Sequence, residues 1–248
     1  MILHIPHASK VIPKAELSAF LLTSAELEEE VLRMTDHFTD ELFHAFEAPI
    51  QVVKYPVSRL VVDPERFVDD QLEPMAQLGM GVIYTMTSQG EKLRILPSPQ
   101  ERERLLKSYY FPHHQRLKIA VDNELNANGD ALIIDCHSFP SQPRFYQTAS
   151  NAKRPDICLG TDVFHTPSWL LEFVVSSFSQ AGLSVAINDP YAGTMVPAAH
   201  NQTDPRVLSL MIEVNRALYM DENSGVKSLG FFDTQNLIYA VLKHLAHH

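Results

Sequence analysis

The residues that could carry out chemistry in this chain begin at a short apolar run over 131–134, which leads directly into Asp135, Cys136, His137 and Ser138. An apolar run of this length, bounded by turn-forming residues, is typical of a buried strand. Polar side chains at the carboxyl end of such a strand lie where open α/β sheets place their sites. His137 is therefore a candidate metal ligand or general base. On this stretch alone, a core histidine bonded to Asp135 is an equally good interpretation.

Other predicted strand ends also carry polar side chains. His7 and Asn188 each follow directly after an apolar segment, and Glu213 lies inside one. A carboxylate within a buried strand is costly unless it is paired or functional. We expect the polar residues at strand ends to converge along one edge of the sheet: His7, Arg59, His137, Asn188 and Glu213.

Two aspartates lie in a segment whose apolar spacing predicts helix over 16–46. Asp36 and Asp40 are four residues apart, so on a helix they share one face. Paired acids of this kind usually form a solvated face. Because they neighbour Phe38 and Leu42, however, either acid could point into a cleft.

Two arginines follow closely on a predicted strand. Arg59 and Asp63 bracket an apolar run, and Arg66 comes after the next turn. The planar, permanently charged guanidinium suits a carboxylate or an oxyanion. The competing interpretation is salt bridging, Arg59 to Asp63 or Arg66 to Asp69.

The alternation of strand and helix predicts an α/β fold with one sheet and helices on both faces. No repeat or linker divides the chain, so a single domain over 1–248 is expected. We predict strands over 1–5, 50–55, 183–187 and 207–214, besides the one leading to His137, a strand or loop over 156–160, and a strand with a polar loop over 79–94. Helices are predicted over 98–126, with a kink or break at Pro112, and over 168–181 and 234–245.

Composition narrows the class of function. The chain has 248 residues, a formal net charge of -10 and a hydrophobic content of 45%. An acidic protein is a poor general nucleic-acid binder, although a few local arginines suffice for a small anionic substrate. No apolar run is long enough to span a membrane and no signal peptide is visible. Cys136 and Cys158 are expected to be reduced and buried, as in a cytoplasmic protein. We exclude His244, His247 and His248 from the site as an exposed tail.

The polar residues occur in a recognisable order: Pro6-His7, Asp36, Ser58-Arg59, Asp63 with Arg66, the segment 135–138, the segment 188–193, and Glu213 with Asn215 and Arg216. This order resembles the N-formylglutamate amidohydrolase family over nearly the whole chain. That family is related in fold to the zinc carboxypeptidases, which have a mixed sheet between helices and zinc at the carboxyl ends of strands. The resemblance implies a zinc-dependent hydrolase that cuts an amide next to a carboxylate-bearing amino acid.

The resemblance also implies roles for single residues. His7 and His137 would be zinc ligands. In the carboxypeptidase pattern a glutamate ligand follows the first histidine by three residues, but here that place is Lys10. Asp36 is therefore the candidate third ligand, with Asp40 in reserve, and the sequence leaves open which of Asp36, His37 and Asp40 faces the metal.

The remaining roles concern catalysis and substrate. Glu213 would be the general base, and Arg59 would face the oxyanion or the substrate. Arg66 would hold the substrate carboxylate, and Asn188 and Tyr191 would also contact the substrate. The family has Asn before this arginine, whereas this chain has Glu65, which leaves the exact substrate open.

The expected chemistry is water activation. Two histidines and a carboxylate leave one zinc position open for water, whose proton Glu213 would take. Asp135 is expected to face away from His137 and to be a poor partner for it. Two alternatives remain. One is a non-catalytic member of the fold that binds a small carboxylated ligand or a protein. The other is a metal-free hydrolase using Ser138 or Cys136, neither of which has a recognisable activating context.

Overall fold

The computed structural model describes residues 1–44, 50–144 and 154–246. Its centre is a six-stranded sheet with the strand order β2-β1-β3-β6-β4-β5. The strands are β1 (Ile2–Ile5), β2 (Gln51–Lys54), β3 (Ala131–Phe139), β4 (Ile157–Gly160), β5 (Val185–Ile187) and β6 (Val207–Asn215). A separate hairpin pairs β7 (Met220–Asp221) with β8 (Val226–Lys227).

The described part of the chain contains six α-helices. They are α1 (Ser24–Met34), α2 (Thr39–Leu42), α3 (Pro99–Leu105), α4 (Phe111–Asn128), α5 (Ser168–Gln180) and α6 (Phe231–Leu245). Within the same residues, no helix combines the length and the apolar composition needed to cross a membrane.

The sheet is mixed, and its one reversal of direction matters for the site. β2, β1, β3 and β6 run parallel, so their carboxyl ends meet at one edge. β4 is antiparallel to β6, and β5 is parallel to β4. The carboxyl end of β5 therefore points away from the edge where β1, β3 and β6 end.

Side-chain alternation along the strands separates two layers. In β3, Ile133 packs with Leu117 and Val121 of α4, whereas Ile134 packs in the cluster that holds α5 and α6. Helices thus cover both faces of the sheet, and the predicted fold class is confirmed. Because His137 lies an even number of residues from Ile133, it projects on the α4 side.

The prediction of one continuous helix over 16–46 is wrong, because the segment is divided into shorter elements. Residues 14–19 form a 3₁₀ turn, and α1 ends where Thr35 adopts an extended conformation. Asp36 lies in the connection between α1 and α2, so it does not share a helix face with Asp40. Phe38 has a φ of 63° at the start of α2, which turns the chain sharply after Asp36. Phe46, the end of the predicted segment, lies outside the described residues.

Two further predictions need correction. The segment 79–94 forms no sheet strand: Gly79, with a φ of 72°, ends a 3₁₀ turn at Pro74–Leu78, and only isolated bridges follow. The helix predicted over 98–126 is divided into α3 and α4 by a π-helical turn at Leu106–Tyr110. Pro112 stands in the first turn of α4, where its missing N–H costs least. The chain therefore stays helical through Pro112, and the irregular turn precedes the position where the kink or break was predicted.

Candidate functional site

Three side chains from separate parts of the chain meet at the carboxyl edge of the sheet. His7 follows β1, His137 lies near the end of β3, and Asp36 comes from the α1–α2 connection. Asp36 Oδ2 lies 3.2 Å from His137 Nδ1 and 3.6 Å from His7 Nδ1. All three residues are buried, with at most 5% of any of them exposed. Their donor atoms lie within 4.8 Å of one another, which makes them a candidate metal-binding group.

The local chain path explains why Asp36 reaches this position. The backbone N–H of Asp36 donates to the carbonyl of His7 over 3.0 Å, which ties the connection to the end of β1. The other carboxylate oxygen, Oδ1, accepts from Arg216 Nη2 over 2.9 Å. Oδ2 is therefore the oxygen that remains turned towards the two histidines.

Each histidine is held by a carboxylate behind it. His7 Nε2 lies 2.8 Å from Asp63 Oδ1, and His137 Nε2 lies 3.1 Å from Asp135 Oδ1. A carboxylate on one ring nitrogen fixes the tautomer and presents the other nitrogen as a ligand atom. His7 Nδ1 is buried and has no hydrogen-bond partner in the described part of the chain. An orphaned imidazole nitrogen facing a second imidazole and a carboxylate is a donor set that fits a divalent metal ion.

The expectation that Asp135 faces away from His137 is wrong. Residues two apart on an extended strand project to the same face, so Asp135 and His137 lie side by side on β3. Together with Asp36, Asp135 also changes the ionisation of the histidine. Burial opposes a charged ring, but the two carboxylates outweigh it and raise the pKa of His137 well above its usual value. For Asp36, burial is likewise outweighed, here by the hydrogen bond from His137 and by electrostatic attraction from His7 and Arg216, and the pKa of Asp36 falls well below its usual value.

Glu213 lies directly beside the two-histidine cluster. It is the neighbour of His137 in the β3–β6 register and lines the same cavity. Its Oε2 is buried and makes no hydrogen bond within the described residues. Burial, partly offset by His137, raises the pKa of Glu213 to about 7. A carboxyl group with this pKa can both accept and return a proton near neutral pH.

Asp63 is the centre of a buried polar network. Besides holding His7, it accepts from Arg59 Nη2 over 2.7 Å and from the hydroxyl of Tyr84. Its Oδ1 also accepts the backbone N–H of Glu65 over 2.9 Å. The salt bridge from Arg59 to Asp63 is thus present. This salt bridge does not take Arg59 away from the site, because Arg59 also lines the cavity.

A cavity of about 800 Å³ opens in front of these residues. Arg66 and Glu65 form part of its wall. Arg66 is only loosely neutralised, since its Nε lies 4.0 Å from both Asp63 Oδ2 and Glu73 Oε1 and has no hydrogen-bond partner in the described segments. A partly exposed guanidinium of this kind can still take a carboxylate from a ligand.

The two substrate residues predicted from the 188–193 segment have different positions. Tyr191 lines the cavity. The prediction that Asn188 lies at the same edge is wrong: its side chain is exposed and pairs with Thr161. The reason is the reversal of β4 and β5, which carries the end of β5 away from the site.

Comparison with known proteins adds an independent finding. A model of the N-formylglutamate amidohydrolase family matches residues 1–220. This chain belongs to that family. It is 26% identical over 231 residues to the N-formylglutamate deformylase of Pseudomonas putida, which covers 90% of this chain and 82% of that protein.

Solved structures support the fold of this family member. The N-formylglutamate amidohydrolase of Ralstonia eutropha JMP134 superposes with a TM-score of 0.84 at 23% identity, covering 99% of this chain and 92% of the other. A gene product of Agrobacterium tumefaciens gives a TM-score of 0.64 at 19% identity, covering 99% and 90%. The predicted family is therefore confirmed, and the predicted fold is seen in solved proteins.

The structure of this amidohydrolase family member gives Ser138 and Cys136 no nucleophilic role. Ser138 Oγ accepts from Arg216 Nε over 3.2 Å, and among the described residues it makes no hydrogen bond to a histidine or a carboxylate. Cys136 is fully buried on the opposite face of β3, and burial raises the pKa of its thiol well above the usual value. A buried neutral thiol is a poor nucleophile.

Sequence reasoning missed two buried residues of the polar network around the site and misjudged a third. Arg216 appeared only within a motif, yet it holds Asp36 in place. His4 went unnoticed, although a histidine inside an apolar strand is itself a signal of a buried polar contact. Asp135 could have been assigned correctly from the two-residue period of a strand. His37 and Asp40 are directed elsewhere, to the carbonyl of Leu32 and to Lys54.

The Asp63 network predicts a large effect of Asp63→Asn. Replacing the carboxylate leaves the buried Arg59 charge without a compensating anion, which costs about 3–5 kcal/mol for buried pairs. The measurement is the free energy of unfolding in urea. Asp70→Asn is the matched control, because the Asp70 side chain is 55% exposed in its pair with Arg102. Equal stability of the two variants would contradict the network.

Proposed function

We propose that this chain is a metal-dependent hydrolase that cleaves the amide bond of an N-acyl amino acid with a free carboxylate, N-formylglutamate being the first substrate to examine. Family membership and the deformylase activity of the Pseudomonas putida relative support the reaction class. The observation that carries the proposal is the buried, unpartnered His7 Nδ1, which faces Asp36 Oδ2 and His137 Nδ1.

His7, Asp36 and His137 would hold the metal ion. Two imidazole nitrogens and one carboxylate oxygen are a common ligand set of catalytic zinc. When bound, zinc would supply a Lewis acid that polarises a carbonyl oxygen and makes water more acidic. The residues Asp63, Asp135 and Arg216 keep the three ligand side chains in their orientations.

Glu213 would move the proton. In the proposed reaction the oxygen of a water molecule forms a bond to the acyl carbon, and the bond from that carbon to nitrogen breaks. Glu213 takes a proton from the water and passes it to the departing nitrogen. The products are a free amino acid and a carboxylic acid, which is formate for an N-formyl substrate. The raised pKa of Glu213, at about 7, supports both halves of this transfer.

Arg59 and Arg66 would have different roles towards the substrate. Arg59 is anchored to Asp63 by Nε and Nη2, so its side chain is held rigidly at the cavity wall. We assign it to the negative charge that develops on the carbonyl oxygen. Arg66 would bind the substrate carboxylate and hold the amide over the site. Tyr191 would form part of the same wall.

The non-catalytic interpretation is motivated by Lys10, which stands where the carboxypeptidase pattern has a glutamate ligand, and by Glu65, which replaces the Asn that the family has before Arg66. The buried Asp36 carboxylate beside the histidine pair supports a catalytic site despite Lys10. The Glu65 replacement leaves the exact substrate open.

We extend the proposal in two respects. The free, buried Cys136 and Cys158 support a reducing compartment such as the cytoplasm. The single six-stranded sheet of the described residues supports one domain over 1–248.

Formate release from N-formylglutamate tests the reaction itself. We expect activity in the purified chain, loss on treatment with a strong chelator, and recovery on addition of zinc. Glu213→Gln should lower kcat by about 10²–10⁴-fold while zinc content is unchanged, because the variant retains the ligands and loses only the proton acceptor. Glu28→Gln, on the exposed face of α1, is the control. Undiminished turnover by Glu213→Gln would reject the assignment of the base.

Arg66→Met tests the substrate anchor. A hydrogen bond to a charged group contributes about 1.5–3 kcal/mol, so KM for N-formylglutamate should rise about 10–100-fold, with a smaller change in kcat. Arg206→Met is the matched control, since Arg206 is 59% exposed and pairs only with Asp204 among the described residues. A fall in kcat at constant KM would instead place Arg66 in the chemical step.

A further inference from the structure

A line of buried hydrogen bonds runs from His137 away from the cavity. Asp135 Oδ1, which contacts His137 Nε2, also lies 2.8 Å from His4 Nδ1. His4 Nε2 lies 2.8 Å from His113 Nε2. The line ends at the protein surface, where Arg116 Nη2 lies 3.4 Å from His113 Nδ1.

Three elements of the fold bring these residues together. His4 lies on β1, Asp135 and His137 lie on β3, and His113 lies on α4, which covers that face of the sheet. His4 and Asp135 are adjacent in the β1–β3 register. His4, Asp135 and His113 are at most 1% exposed. Buried polar groups of this kind must satisfy one another, because water does not reach them.

The donor and acceptor roles can be assigned one after another, starting from Arg116 at the surface and ending at Asp135. A guanidinium can only donate, so His113 Nδ1 accepts from Arg116. In a neutral imidazole the other nitrogen then carries the proton, and His113 Nε2 donates to His4 Nε2. By the same rule His4 Nδ1 carries a proton and donates to Asp135. Burial lowers the pKa of both His4 and His113, which supports neutral rings.

Asp135 then receives donors on both of its oxygens. Oδ1 faces His4 and His137, and Oδ2 accepts the backbone N–H of Met195 over 3.0 Å. An ionised carboxylate can only accept, so His137 Nε2 has to donate. The ring nitrogen of His137 that remains for a metal ion is therefore Nδ1, the one that faces Asp36.

We propose that His4 and His113 are positioning residues of the metal centre: through Asp135 they hold His137 in the tautomer that offers Nδ1 as a ligand atom. The inference rests on the proposed function, because it presupposes that His137 binds a metal ion. It gives a role to His4 and His113, which neither contact the ligands His7 and Asp36 nor take part in the reaction.

The first test reads the tautomers directly in the unmodified full-length chain. ¹⁵N-labelled histidine side chains are assigned by NMR before and after zinc is added. We expect His4 to be protonated on Nδ1 and His113 on Nε2 in both states, and His137 to keep only its Nε2 proton once zinc is bound. Glu65 Oε1 lies 3.3 Å from His4 Nδ1 and could donate there if protonated. A His4 ring protonated on Nε2 would overturn the proposal.

The second test measures zinc affinity by competition with a chromophoric chelator. His4→Phe keeps an aromatic ring at this position but loses the donor to Asp135, and affinity should fall about 10–100-fold, as for other residues that orient metal ligands. His4→Asn returns an amide donor near the Nδ1 position and should restore most of the affinity. His113→Phe should lower the zinc affinity by a smaller factor. His113→Gln should lower it less than His113→Phe does.

His165→Phe separates this role from a purely structural one. His165 is also fully buried, but its nitrogens bond the carbonyl of Val207 and the N–H of Gln202, away from the metal ligands. We expect His165→Phe to lower the melting temperature and to leave zinc affinity unchanged.

The outcomes distinguish the two proposals. If the unmodified chain binds zinc and His4→Phe binds it equally well, the positioning role is wrong while the proposed function stands. If the unmodified chain binds no zinc, both proposals fail. If His4→Phe does not fold, His4→Asn and the tautomers of the unmodified chain still decide the question.

Discussion

This site depends on one constraint: its buried carboxylates have little access to water and must be paired within the protein. Asp36, Asp63 and Asp135 are each at most 2% exposed, and a buried charge costs several kcal/mol unless it is paired and hydrogen-bonded. Each finds its partners among histidines and arginines: Arg216 for Asp36, Arg59 for Asp63, and two imidazole rings for Asp135. These pairings satisfy the acids and at the same time orient the ring nitrogens that face the proposed metal ion.

The sheet supplies the geometry within which these pairings form. Parallel β1, β3 and β6 end at one edge, and the β3–β6 register places His137 beside Glu213. The two-residue period of a strand then sends Asp135, His137 and Glu213 to the face covered by α4, while Cys136 and Ile212 enter the opposite core. Side chains of the site and side chains of the core therefore alternate along the same strands. A one-residue change in register would exchange their faces.

Sequence reasoning located His7, His137 and Glu213 because the two histidines directly follow apolar runs and Glu213 interrupts one, which are local signals. Asp36 came from the resemblance to a family, since nothing in a helical pattern indicates that the helix stops at Met34. Asn188 was misplaced because the reversal of β4 is a property of the whole sheet and leaves no mark on the 183–188 sequence. The region between β2 and α3 lacks the predicted strand because long-range clusters around Tyr55 and Tyr84 satisfy its apolar residues.

The most direct test of the account is the metal content of the purified full-length chain, measured by elemental analysis together with His7→Ala, His137→Ala and the control His165→Ala. The account predicts about one zinc ion per chain in the unmodified protein and in the control, and loss of that ion from both ligand variants. A chain that holds no metal after zinc loading, or ligand variants that retain it, would contradict a metal centre at His7, Asp36 and His137.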